Sequence, residues 1–174
     1  MKPIMALWNA LLWIALLSAP VQAADFFNET FGNFQEELET AREEGKKGVF
    51  VFFEMDECPF CHRMKITIFN QSDVIEAMKK DFLAFRWDIE GDTEVVDFDG
   101  TEGTMKSLAE KKYRVRATPV MIFFDLNGQP VLRYTGPTRT KDEFLWMIEY
   151  VRDGWYKKMK FARFKRMKKA GELK

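Results

Sequence analysis

A dense apolar run, Gly48-Val-Phe-Val-Phe-Phe-Glu54, ends four residues before the pair Cys58-Pro59-Phe60-Cys61. A short run this rich in β-branched and aromatic side chains reads as a strand covered on both faces. Such a strand needs an apolar layer above and below it, which points to a sheet with helices on either side. The rest of the chain supplies those elements. Asn33 to Glu44 carries Phe34, Leu38 and Ala41 on one face, with Asn33 as cap, Glu36 three residues on and Gly45 as terminator. A helix from about Pro59 to Phe69 follows the cysteines. Ser72 or Asp73 is expected to cap a second helical piece bearing Val74, Ile75 and Met78. Phe82 to Asp88 is the next strand.

Further along, Thr104 to Tyr113 reads as a short helix. Val120 to Phe124 and Val131 to Tyr134 read as a hairpin turning at Asn127-Gly128. Thr140-x-x-Glu143 opens a helix carrying Phe144, Ile148 and Val151, with Gly154 at its end. A βαβ unit followed by a hairpin and a helix predicts an α/β fold: a central mixed sheet flanked by helices.

The chain has 174 residues, 47% of them hydrophobic and 15% aromatic, enough for one core. Residues 1–23 read as a signal peptide: Lys2, an apolar stretch from Met5 to Leu17, then Pro20 and Val21-Gln22-Ala23, with cleavage after Ala23. That predicts export to the periplasm. Residues 24–154 form the expected folded domain and 155–174 a basic tail. The zero net charge hides a division, because residues 24–154 carry a net −9 and residues 155–174 a net +8. An acidic body makes nucleic acid an unsuitable partner.

Two cysteines in an exported chain would by default form a structural staple. Cys-x-x-Cys closes too small a loop to restrain much unfolded chain, so the spacing favours a redox pair. Cys58 sits where a strand gives way to a helix, where unpaired N–H groups and the helix dipole favour a thiolate. Pro59 suits the first helical turn because it has no N–H to leave unsatisfied. Cys58 is therefore the expected attacking sulfur and Cys61, one turn deeper, the resolving one. Glu54, Asp56 and Glu57 oppose a thiolate by like charge, whereas protonated His62 would favour it. A less stabilised thiolate makes the pair more reducing. Thr118-Pro119, just before a strand, is expected to be cis and to offer Thr118 backbone groups to an extended substrate.

These residues, with the stretch FFDLNGQPVLRYTG, resemble the thioredoxin superfamily over about Phe50 to Val151. The likeness looks closest to the periplasmic thioredoxins of the Sox sulfur-oxidation system and to the C-terminal periplasmic domain of the transmembrane Dsb reductase. Phe53-Glu54 and the insert Gly91-Asp92-x-Glu94-Val95-x-Asp97-Phe98-Asp99-Gly100 carry the Sox-type part of it. The resemblance implies a protein-disulfide reductase with Cys58 and Cys61 as redox pair, Pro119 as cis-proline, and Pro59, Phe60 and Thr118 meeting the substrate. Electrons would pass from a membrane thiol carrier to periplasmic protein disulfides, with no cofactor and in a monomer. Superfamily members bury an aspartate six residues before the first cysteine. Phe52 stands there instead, and Glu54 is the nearest substitute.

Other readings compete. Cys58-x-x-Cys61-His62 also satisfies the pattern for c-type haem attachment. A binding module using the fold without redox chemistry is a third reading. Two Cys and one His leave zinc short of four ligands. Asp88 to Glu102 carries seven carboxylates and no base, and reads as a solvated insert. Residues 155–170, with eight basic side chains among aromatics and methionines, could rest on an anionic membrane or an acidic partner, or fold back on the acidic body.

Overall fold

The computed structural model describes residues 25–173. The signal peptide expected at residues 1–23 lies outside the described residues. Helix α1 spans Phe34–Glu43 and strand β1 Gly48–Glu54. They are followed by α2 (Pro59–Thr67), α3 (Ser72–Asp81) and β2 (Phe82–Asp88). A small hairpin of β3 (Glu94–Val96) and β4 (Glu102–Thr104) leads into α4 (Met105–Lys111). Strands β5 (Val120–Phe124) and β6 (Pro130–Thr135) precede α5 (Lys141–Arg152), a 3-10 turn at Trp155–Lys157 and α6 (Phe161–Lys169). The main sheet has the order β2-β1-β5-β6, with β1 parallel to β2 and antiparallel to β5. The chain is therefore the expected α/β fold, a mixed sheet between helical layers.

Strand alternation assigns the two layers. Phe50 and Phe52 of β1, Ala84 of β2, and Met121 and Phe123 of β5 face a core filled from α2, α3, α5 and α6. Val49, Val51, Phe53, Phe85, Trp87 and Ile122 face the opposite core, closed by α1 and α4. Residues 49–53 of β1 are all fully buried, as its composition requires. Gly48 lies tight against the end of β5: a Cβ there would sit 2.0 Å from the Phe124 carbonyl oxygen.

Caps follow sequence chemistry with one exception. Asn33 Oδ1 accepts from the Gln35 and Glu36 N–H groups, and Asn33 Nδ2 donates to Glu36. Thr140 Oγ1 accepts from Glu143 N. Helix α3, however, has Gln71 in the cap position with no side-chain bond. Ser72 is already helical, and Asp73 instead pairs with Lys141 of α5 at 2.7 Å, so neither residue caps.

Three segments add to or correct the sequence reading. Phe26 enters the core and stacks on Phe69 at 4.3 Å, while Asn28 bonds both backbone groups of Ala84 and so covers the free edge of β2. The acidic insert is not simply solvated, because it folds as the β3–β4 hairpin and buries Val95, Asp97 and Phe98. Asp97 pays for no exposure with partners: Tyr113 Oη donates to it at 2.6 Å, Phe98 N at 2.8 Å, and the Lys112 ammonium pairs with it. Finally, residues 155–170 fold back on the body. Phe161 and Phe164 are buried against Tyr150, and Lys165 and Lys168 pair with Glu143 and Glu149 of α5.

Candidate active site

Four residues, Met55 to Cys58, separate the end of β1 from α2. Cys58 has extended backbone angles (φ −122°, ψ 91°), the geometry of a helix cap, and Pro59 follows as the first helical residue. The Cys58 sulfur accepts from Cys61 N at 3.1 Å, so it occupies the place where unpaired helix donors converge. His62 N donates to the Cys58 carbonyl at 3.0 Å, closing the first turn. Cys58 and Cys61 are joined by a disulfide with Cα atoms 5.2 Å apart. Cys58 is 6% exposed and Cys61 1%, so the order of accessibility follows the order in the chain.

The surroundings divide into an apolar floor and a polar rim. Phe52 is buried beneath the site, 5.1 Å from Phe69 and 5.9 Å from Phe27 between ring centres. Glu54, two residues on, lies at the sheet's end and pairs with Lys65 of α2 at 2.7 Å. Asp56, Glu57 and His62 are exposed. Phe60 is 55% exposed, with the Arg63 guanidinium 5.8 Å from its ring centre. A cleft of about 390 Å³ opens beside the cysteine loop, lined by Glu29, Glu54, Asp56, Lys65, Arg86 and Asp88 among others.

Pro119 comes to the same end of the sheet through register. Val120 pairs with Phe53, which places Pro119 opposite the end of β1. The Thr118–Pro119 peptide is cis, Pro119 is buried, and its carbonyl accepts from Gly136 N at 2.9 Å. The Thr118 hydroxyl is buried with no hydrogen-bond partner. The sequence therefore identified Cys58, Pro59, Phe60, Cys61 and His62 as one turn, and Glu54, Thr118 and Pro119 converge on the same sheet end.

Sequence reasoning missed Thr138. It is 1% exposed, its carbonyl accepts from Arg63 at 3.4 Å, and its hydroxyl lies 3.5 Å from Met64 Sδ, tying the segment after β6 to α2. The Gly136-Pro137 pair just before it was the available signal. Among the described residues, no group of three or more His, Cys, Asp or Glu side chains could hold a metal ion.

A family model described as a thioredoxin-like domain matches residues 34–152. No curated protein matches. Among solved structures, a thioredoxin-fold protein from Helicobacter pylori is 24% identical with a TM-score of 0.58, covering 72% of this chain and 82% of its own. A candidate disulphide-isomerase from Bacteroides thetaiotaomicron is 26% identical with a TM-score of 0.56, covering 72% of this chain and 90% of its own. A thioredoxin from Thermus thermophilus is 22% identical with a TM-score of 0.54, covering 69% and 84%. The first and third likenesses concern the fold.

Proposed function

The chain belongs to the thioredoxin-like family, and from that premise we propose that it is a periplasmic thiol–disulfide oxidoreductase that reduces protein disulfides through Cys58 and Cys61. The observation that carries this reading is the Cys58 sulfur at the cap of α2, accepting from Cys61 N and bonded to Cys61. In the dithiol state, Cys58 thiolate attacks one sulfur of a target disulfide and releases the other as a thiolate. The Cys61 thiolate then attacks the Cys58 sulfur and frees the second target thiol. Two electrons pass to the target, and the protein is left in the disulfide form described above. A membrane thiol carrier would return it to the dithiol.

Direction follows from charge. Lys65 pairs with Glu54, but Asp56 and Glu57 stand exposed immediately before Cys58 without a paired cation among the described residues. Their field disfavours the thiolate and so the reduced form, which makes the pair reducing. Periplasmic placement rests on the signal peptide read at residues 1–23. Phe60 and the Thr118 backbone would meet the substrate chain, and Glu54 would move the proton that leaves Cys61.

A redox titration combined with an insulin-reduction assay tests activity and direction together. We expect turnover and a potential nearer that of thioredoxin, about −270 mV, than that of a disulfide donor, about −120 mV. A potential near the donor value overturns the direction. Cys58→Ser should abolish turnover, and Cys61→Ser should trap a mixed disulfide on non-reducing gels. Unchanged function in the cell with Cys58→Ser would favour a redox-independent binding module. Glu54→Gln should slow resolution of the mixed disulfide in a pH-dependent way, and an unaltered pH profile removes Glu54 from the mechanism.

A further inference from the structure

Helix α6 has two chemically distinct sides. Its inner side holds Phe161 and Phe164 in the core, and Lys165 and Lys168 spend their charge on Glu143 and Glu149. Its outer side and the turn before it expose Lys157, Lys158, Lys160, Arg163, Arg166 and Lys169. Among the described residues, no carboxylate forms an ion pair with any of these six. Helix α6 itself contains no acidic residue, and Glu172 is the one acid after Asp153. Trp155 and Tyr156, half-buried, lie at the margin of this face, with Lys158 and Lys157 ammonium groups over their rings at 4.8 and 5.6 Å.

We propose that this face is a docking surface for an anionic lipid bilayer. The charge complementarity is one-sided and local: six free cations sit on the outside of a body that is otherwise acidic. Repulsion of that body would turn the cationic face toward the lipid. The face carries one open cleft of about 370 Å³, lined by Arg163, Arg166, Met167, Ala170 and Glu172, but no exposed large apolar anchor, because its phenylalanines are committed to the core. A protein partner's hot spot would call for such an anchor, whereas a bilayer surface needs only charge and interfacial aromatics. Binding is therefore peripheral and electrostatic, without insertion of α6. This inference stands on the surface of α6 and not on the redox reading.

The test is flotation of the full chain with vesicles of phosphatidylcholine containing phosphatidylglycerol, against vesicles of phosphatidylcholine alone. The neutral vesicles also report any binding by residues 1–23 where these are retained. We expect binding only to the anionic vesicles, lost as salt is raised. Each basic residue near such a surface strengthens partitioning roughly fivefold, so Arg163→Gln with Arg166→Gln should weaken it roughly 25-fold. Both positions are exposed, so an unchanged melting temperature will show that the fold is intact. Equal binding to both vesicle types, or an unaffected double variant, overturns the proposal. Binding to soluble polyglutamate without binding to anionic vesicles also overturns it, in favour of an acidic protein partner.

Discussion

Replacing Glu143 by Gln should loosen the attachment of α6 and lower stability in a pH-dependent way. The Glu143 carboxylate is buried, with its side chain 5% exposed. One oxygen accepts from Lys165 Nζ at 2.6 Å and Tyr134 Oη at 2.9 Å, and the other from Arg139 N at 3.0 Å. Burial alone would raise its pKa, but the Lys165 ammonium and the two other donors outweigh it and hold the carboxyl below its ordinary value of 4.5. Burial, reinforced by its contact with the Glu143 carboxylate, pushes the Tyr134 phenol up to about 12. An amide can keep one acceptor oxygen, yet its NH2 then faces a donor and the charge opposite Lys165 is gone. Charge-assisted bonds are worth about 1.5–3 kcal/mol each, so the net loss should be about 2–4 kcal/mol. For a domain of this size that is a fall of roughly 5–15 °C in melting temperature. Because the folded pKa lies below the unfolded one, the wild-type advantage is complete above about pH 4.5 and is lost as pH falls through the folded value. Calorimetry across pH reads both effects. A variant melting within about one degree of wild type at neutral pH, or a gap that does not narrow on acidification, refutes the reasoning.

Gly48→Ala should cost about 1–3 kcal/mol, seen as a lower urea midpoint, because its Cβ meets the Phe124 carbonyl oxygen and β1 or β5 must shift. Phe164→Ala should cost about 3–5 kcal/mol by chemical denaturation, since Phe164 is fully buried between Tyr150, Trp155 and Phe161. Asp97→Asn should lower the ionisation pH of Tyr113, which burial and the adjacent Asp97 charge hold above the ordinary phenol value. Ultraviolet absorbance of the phenolate reads this shift.

What could be read in the sequence was whatever carried its own local signal. Strands β1, β2 and β5 keep the bounds that their apolar runs set: β1 and β2 end at the first carboxylates, Glu54 and Asp88, and only Arg86 of β2 interrupts the runs within the sheet. Cys58 was legible as a cap because Pro59 marks a first helical turn. Long-range partners were not legible. Asn28 reaches Ala84 across 56 positions, and nothing in Phe26-Phe27-Asn28 has a helix or strand period. The alternating carboxylates of residues 88–102 suggested solvent. Only the fold brings Lys112 and Tyr113 to Asp97 and makes its burial affordable. The tail stayed open between folding back and an outside partner for the same reason, since its aromatics do not form one clean stripe until Phe161 and Phe164 are turned inward together.

The same division explains why the site has its acid at the rim and not in the floor. Phe52 shares its core with Phe27, Phe50 and Phe69, an aromatic cluster to which buried Cys61 also belongs. A carboxylate at that position would be desolvated among rings that offer it no donor, which is costly for a charged group. Glu54 has the same strand parity but lies where β1 leaves the sheet, and there Lys65 and the cleft supply the partners that the floor lacks. The aromatic floor and the acid at the rim are thus two consequences of one packing choice. The sequence carries both, in the alternation of Phe50, Phe52 and Glu54.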